Sequence, residues 1–130
     1  LYAMDKMKIE PGRMYLAPPD YHMMMETEDT LALSIDDKVQ HCRPSIDVLF
    51  DSVAFCMRER ALGVLLTGAN CDGAAGLAAI QNQGGIVMVQ DPDTAQVPIM
   101  PQAALQACEP DALGSLEDLS MHIRQLGVNI

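Results

Sequence analysis

The stretch Leu62-Gly63-Val64-Leu65-Leu66-Thr67-Gly68-Ala69-Asn70-Cys71-Asp72-Gly73-Ala74-Ala75-Gly76 decides how this chain is read. Its first five residues are a continuous apolar run, the pattern of a strand covered on both faces. A turn follows, and then a helix from about Gly73 to Asn82. Ala74, Ala75, Gly76, Ala78 and Ala79 let that helix approach a sheet closely, and Gly84-Gly85 ends it. Ile86 to Gln90 is a second apolar run. Strand, helix and strand in that order predict a βαβ unit with parallel strands and a right-handed crossover.

Working outward, the N-terminal third changes character. Pro11-Gly12 marks a turn, Arg13 to Ala17 reads as a short strand, and Pro18-Pro19-Asp20 breaks it. Tyr21 to Met25 and Thr30 to Ser34 read as two further strands around a polar turn at Glu26 to Asp29, giving a small antiparallel meander. Ser45 can cap a helix running to about Arg60, with Ile46, Leu49, Val53 and Met57 on one buried face. Asp47 in its first turn, with Arg58 and Arg60 in its last, would complement the helix dipole. Beyond the βαβ unit, Asp91 to Met100 is a Pro-containing loop and Pro101 opens a short helix to about Cys108. Asp111 to Gly114 is a brief strand or turn. Ser115 and Asp118 resemble a capping box. Leu116, Leu119, Ile123 and Leu126 form the stripe of a last helix that Gly127 should end. The expected class is α/β: a three-layer α/β/α arrangement with a mainly parallel sheet plus an N-terminal antiparallel hairpin or meander. Residues 1–130 read as one unit, with no repeat or linker.

Composition narrows the partners. The chain has 130 residues, 49% of them hydrophobic, and a formal net charge of −10. A chain of that length can bury roughly two thirds of the surface exposed when unfolded. The acidic balance speaks against nucleic acid, whose phosphates need Lys and Arg to displace counterions, and against an anionic membrane surface. No apolar run approaches the roughly 20 residues that span a bilayer. Cys42, Cys56, Cys71 and Cys108 show no paired metal-ligand spacing, so neither a zinc site nor a disulfide framework is expected, and the thiols suit a reducing cytoplasm. No metal or organic cofactor is expected.

The loop after Leu66 is the place to look for chemistry. Ligands of open α/β sheets bind at the carboxyl ends of the strands. Gly68 and Gly73 have the spacing of the first part of a phosphate loop, but Ala74 and Ala75 stand where Lys and Ser or Thr are needed. Asp72 also places a negative charge where phosphate would sit. Asp72 itself admits two roles that can coexist. It can cap the helix that follows it, or it can orient a catalytic histidine by fixing the tautomer and stabilising the imidazolium.

Four ordered blocks then carry a specific resemblance. Ile9-Glu10-Pro11-Gly12-Arg13-Met14-Tyr15-Leu16-Ala17-Pro18 with Tyr21-His22 is the first, and Arg43-Pro44-Ser45-Ile46-Asp47-Val48-Leu49-Phe50 the second. Leu66-Thr67-Gly68 followed by Asp72-Gly73-Ala74-Ala75-Gly76 is the third. Gln90-Asp91-Pro92-Asp93-Thr94-Ala95 with Val97-Pro98-x-Met100-Pro101 is the fourth. Together they resemble the chemotaxis protein-glutamate methylesterases over nearly the whole chain. The resemblance implies hydrolysis of glutamate methyl esters on the cytoplasmic helices of chemoreceptors by a Ser-His-Asp site, with Asp72 as its Asp. It implies that Ser and His lie upstream of this stretch, so that the chain is a C-terminal portion lacking the first strands of its domain. Arg43, Ser45, Thr67, Gly68 and Asn70 are candidate substrate contacts. Ala69 departs from the family, where Met is frequent.

Within the chain, His22, His41 and His122 read as surface or hairpin residues rather than bases. The acidic neighbour of Cys71 disfavours its thiolate. The 130 residues alone should therefore be inactive, and absent strands would leave sheet edges open to self-association. The alternative is a non-catalytic interaction module that keeps the remnant of the fold.

Overall fold

In the computed structural model, which describes residues 1–128, the two apolar runs become neighbouring parallel strands. The elements in chain order are β1 (His22–Thr27), β2 (Thr30–Ser34), α1 (Ile46–Met57), β3 (Leu62–Leu65), α2 (Ala74–Asn82), β4 (Ile86–Gln90), α3 (Ile99–Ala107), β5 (Ala112–Gly114) and α4 (Leu116–Val128). β3 pairs with β4 from Leu62 opposite Ile86 to Leu65 opposite Val89. β5 adds to the far side of β4, also parallel, with Met88 opposite Ala112. The sheet order is β3-β4-β5, and the antiparallel β1–β2 hairpin stands apart from it.

Side chains of β4 show why its run is apolar from Ile86 to Val89. Val87 and Val89, both fully buried, join Leu77 and Ile80 of α2 and Ala104 of α3 in the main core. Met88 points the other way and packs with Ala112 and Leu119 of α4. Successive strand residues face opposite sides, so helices on both faces demand hydrophobicity at every position. This is the expected three-layer α/β/α arrangement. α1 lies against α2 and carries the hairpin on its other side. Ile46, Val53 and Met57 reach the main core, while Leu49 joins the hairpin cluster of Ala3, Met23 and Leu31.

Several local expectations differ from the structure. Arg13 to Ala17 is not a strand: only Leu16 makes an isolated bridge, to Tyr2, because prolines on both sides leave the run too short to pair. α1 stops at Met57, and Arg58–Arg60 form a 3-10 turn after Arg58 enters positive φ (50°), so neither arginine sits in the last helical turn. α3 begins at Ile99, two residues before Pro101. α4 runs through Gly127 to Val128, since an isolated Gly costs only about 1 kcal/mol within a helix. β1 runs from His22 to Thr27, past its expected end at Met25, so the turn shrinks to Glu28 and Asp29. β2 and β4 have the expected bounds, Gly84 (φ 89°) follows the end of α2, and the capping box forms. In the box Ser115 N donates to Asp118 Oδ2 (3.1 Å) and Asp118 N to Ser115 Oγ (3.2 Å).

The β3 end of the sheet is the less covered one. α4 lies over β4 and β5, leaving Leu62 and Leu66 exposed at the β3 end and Leu116 and Ile123 exposed on the helix. Among the described residues β3 has no strand on its outer edge.

Candidate active site

Asp72 does not cap the helix that follows it. Gly73 adopts a left-handed conformation (φ 102°), which turns the chain between the Asp and α2. The Asp72 carboxylate is thereby directed across to the N-terminus of α1. Its Oδ1 accepts from Ser45 Oγ (2.8 Å) and Asp47 N (3.0 Å), and its Oδ2 accepts from Ile46 N (2.6 Å). The exchange is reciprocal. Asp47, on the first turn of α1, has its Oδ1 3.0 Å from Gly73 N and 2.7 Å from Gly76 N, at the start of α2. Each helix is thus capped by a carboxylate from the other's N-terminal region. Both groups are buried, Asp72 at 2% and Asp47 at 7% exposure. Amide donors at a positive dipole end make burial of a charge tolerable there.

Ser45 is equally enclosed, at 2% exposure. Besides donating to Asp72, its Oγ accepts from Val48 N (3.4 Å), the expected cap of α1. Its backbone N–H donates to His22 Nδ1 (3.1 Å), and His22 Nε2 lies 2.9 Å from Asp37 O. His22 opens the hairpin as expected, but it is a core residue at 1% exposure rather than a surface one. It reaches Ser45, not Asp72. His41 and His122 are exposed.

The remaining candidates secure the loops. Thr67 N donates to Gln90 Oε1 (3.0 Å), and Thr67 Oγ1 exchanges bonds with Val97, accepting from its N (2.8 Å) and donating to its O (3.0 Å). Gly68 N donates to Val97 O (3.0 Å), and Met100 N to Gly68 O (3.0 Å). The β3–α2 loop and the 91–100 loop are therefore stitched side by side at the carboxyl edge of the sheet. Asn70 Oδ1 accepts from Asp72 N (3.0 Å), and its Nδ2 contacts Cys42 Sγ (3.1 Å). Arg43 spends its donors inside the chain. Nε and Nη2 go to Asp20, and Nη1 goes to the carbonyls of Ile35 and Asp36.

The sequence does not single out Asp47 and Gln90 as parts of this site. Asp47 reads as an ordinary acidic residue of a first turn. Gln90 is the one polar residue of an otherwise apolar strand, and that was the available signal. Among the described residues no group of three or more His, Cys, Asp and Glu could hold a metal ion, and no helix is long and apolar enough to cross a membrane.

A layered parallel sheet whose carboxyl edge carries a fixed, buried carboxylate defines an α/β domain of the kind that places its chemistry on strand-to-helix loops. Residues 2–123 match the family model described as CheB methylesterase, and the chain belongs to that family. A putative protein-glutamate methylesterase/protein-glutamine glutaminase of Leptospira interrogans is 44% identical over 118 residues, covering 91% of this chain and 61% of the relative. Protein-glutamate methylesterase/protein-glutamine glutaminase 1 of Rhodospirillum rubrum is 40% identical over 124 residues, covering 93% and 32% respectively. The crystal structure of the Thermotoga maritima CheB methylesterase catalytic domain superposes with a TM-score of 0.89 at 26% identity, covering 96% of this chain and 68% of that one. The chain thus spans about three fifths of the first relative's length and one third of the second's.

Proposed function

We propose that this chain supplies the acidic member of a Ser-His-Asp site that hydrolyses glutamate methyl esters on chemoreceptor cytoplasmic helices, with Asp72 in that role. The nucleophile and the base come from polypeptide outside residues 1–130. The observation that supports this reading is the state of Asp72 Oδ2. A carboxylate oxygen can accept two hydrogen bonds; Oδ1 has two and Oδ2 has one, from Ile46 N. Oδ2 therefore keeps one acceptor position in which an imidazole Nδ1–H would fit the role. The serine attacks the ester carbonyl and gives its proton to the histidine. Methanol leaves, and water releases the glutamate. The relatives' names pair this reaction with glutamine hydrolysis. The same acyl transfer expels ammonia when the substrate is the side-chain amide.

A second reading, a non-catalytic interaction module, is favoured by the three bonds that Asp72 already makes to α1. The experiment separates the two. In the full-length polypeptide containing these residues, Asp72→Asn should lower kcat for methanol release from methylated receptor by about 10⁴-fold, with the far-ultraviolet spectrum unchanged. An unchanged rate would remove Asp72 from catalysis. Residues 1–130 alone should release no methanol, and release by the isolated chain would show that the nucleophile and base lie within it.

A further inference from the structure

We propose that Ser45 is a positioning residue for Asp72, and that His22 holds Ser45 in place. The inference rests on the catalytic reading of Asp72. Ser45 caps α1, and its enclosed side chain, at 2% exposure, is committed to Asp72 and Val48 within the chain. Of the three groups bonded to the Asp72 carboxylate, two are backbone amides of α1 and one is a side chain, the Ser45 hydroxyl. That hydroxyl has little freedom. Its oxygen faces Val48 N–H, which can only donate, so its own proton is left for Asp72 Oδ1.

His22 is fixed by the same logic. A carbonyl can only accept and an amide N–H can only donate. Nε2, beside Asp37 O, therefore carries the ring proton, and Nδ1, receiving Ser45 N–H, is bare. The ring is a neutral strut between the hairpin's exit segment and the first residue before α1. It sets the Ser45 backbone, which aims the hydroxyl. The Ser45 hydroxyl, with the Asp47 and Ile46 amides, then fixes the rotation of the carboxylate, so that the remaining acceptor position of Oδ2 keeps one direction. A carboxylate free to rotate about its last bond would present a histidine partner with a spread of orientations. Misplacing a catalytic group in this way lowers turnover without touching substrate affinity.

The test uses Ser45 variants of the full-length polypeptide, with Asp72→Asn as reference. Ser45→Ala should lower kcat about 10- to 100-fold and leave KM within twofold. Ser45→Thr, which restores the hydroxyl, should recover most of the rate. Ser45→Gly keeps nearly all the cap stability of serine but lacks the hydroxyl. It should fold like the parent and lose rate like Ser45→Ala, separating positioning from a purely structural role. In an Asp72→Asn background Ser45→Ala should cost no further rate. If Ser45→Ala and Ser45→Gly keep full kcat while Asp72→Asn loses it, the positioning role is overturned and the catalytic reading stands. If Asp72→Asn keeps full kcat, both fall together.

Discussion

Gly76 sits where α2 crosses the first turns of α1. A Cβ there would lie 2.6 Å from Phe50 Cβ and 3.1 Å from both the Asp47 Cα and Oδ1. None of those atoms is the free end of a flexible chain, so the helices would have to part. Gly76→Ala should destabilise the chain by about 1–3 kcal/mol, read from urea denaturation. Gly68 is the contrast. Its added Cβ would meet the sulfur and terminal methyl of Met100, which can swing aside, as well as Met100 Cβ at 3.1 Å. Gly68→Ala should cost less than Gly76→Ala, and the reverse order would count against this account of the packing. At this scale the sequence shows that Asp72, Gly73 and Gly76 matter, through their place after a buried strand. It does not show the target of the Asp72 carboxylate. That depends on the single left-handed residue at Gly73, and on α1 lying close enough to receive a carboxylate from 25 or more residues away.

At the scale of elements, periodicity serves well where one face decides burial. The β2 and β4 runs, the βαβ order and the capping box of α4 are all legible, because each rests on contacts local in sequence. α1 is harder. It packs on two sides, against α2 and against the hairpin, so the expected stripe is only partly buried and Asp47 and Ala54 are its most enclosed residues. The same geometry strains one position. Partial desolvation of the Asp51 carboxyl, which remains exposed to solvent, and then the Asp47 charge one turn away raise the Asp51 pKa above its usual value. The folded state therefore binds the Asp51 proton more tightly than the unfolded chain. Its contribution to stability falls as pH rises from the ordinary Asp range through the raised value. Asp51→Asn should gain a few tenths of a kcal/mol at pH 7 and nothing at pH 3, where both forms are uncharged. Thermal melts at the two pH values check it, and an equal gain at pH 3 would point to packing instead.

Across the whole molecule, the edge of β3 combines apolar exposure with open backbone groups among the described residues. Leu62 and Leu66 are exposed at β3, whose outer edge has no partner strand among the described residues. An edge with open backbone groups and apolar flanks is a template for another strand. Residues 1–130 alone should associate as concentration rises, and Leu62→Lys, a charge on that edge, should weaken the association. Sedimentation showing a monomer at high concentration would contradict this. The swapped carboxylates bear on how the molecule comes apart. Because Asp47 and Asp72 each serve the opposite helix, pulling the hairpin and α1 away from the sheet would strand two carboxyl groups and several amides at once. Neither half can open alone at low cost, so the two sections should melt in a single cooperative transition despite having separate sheets.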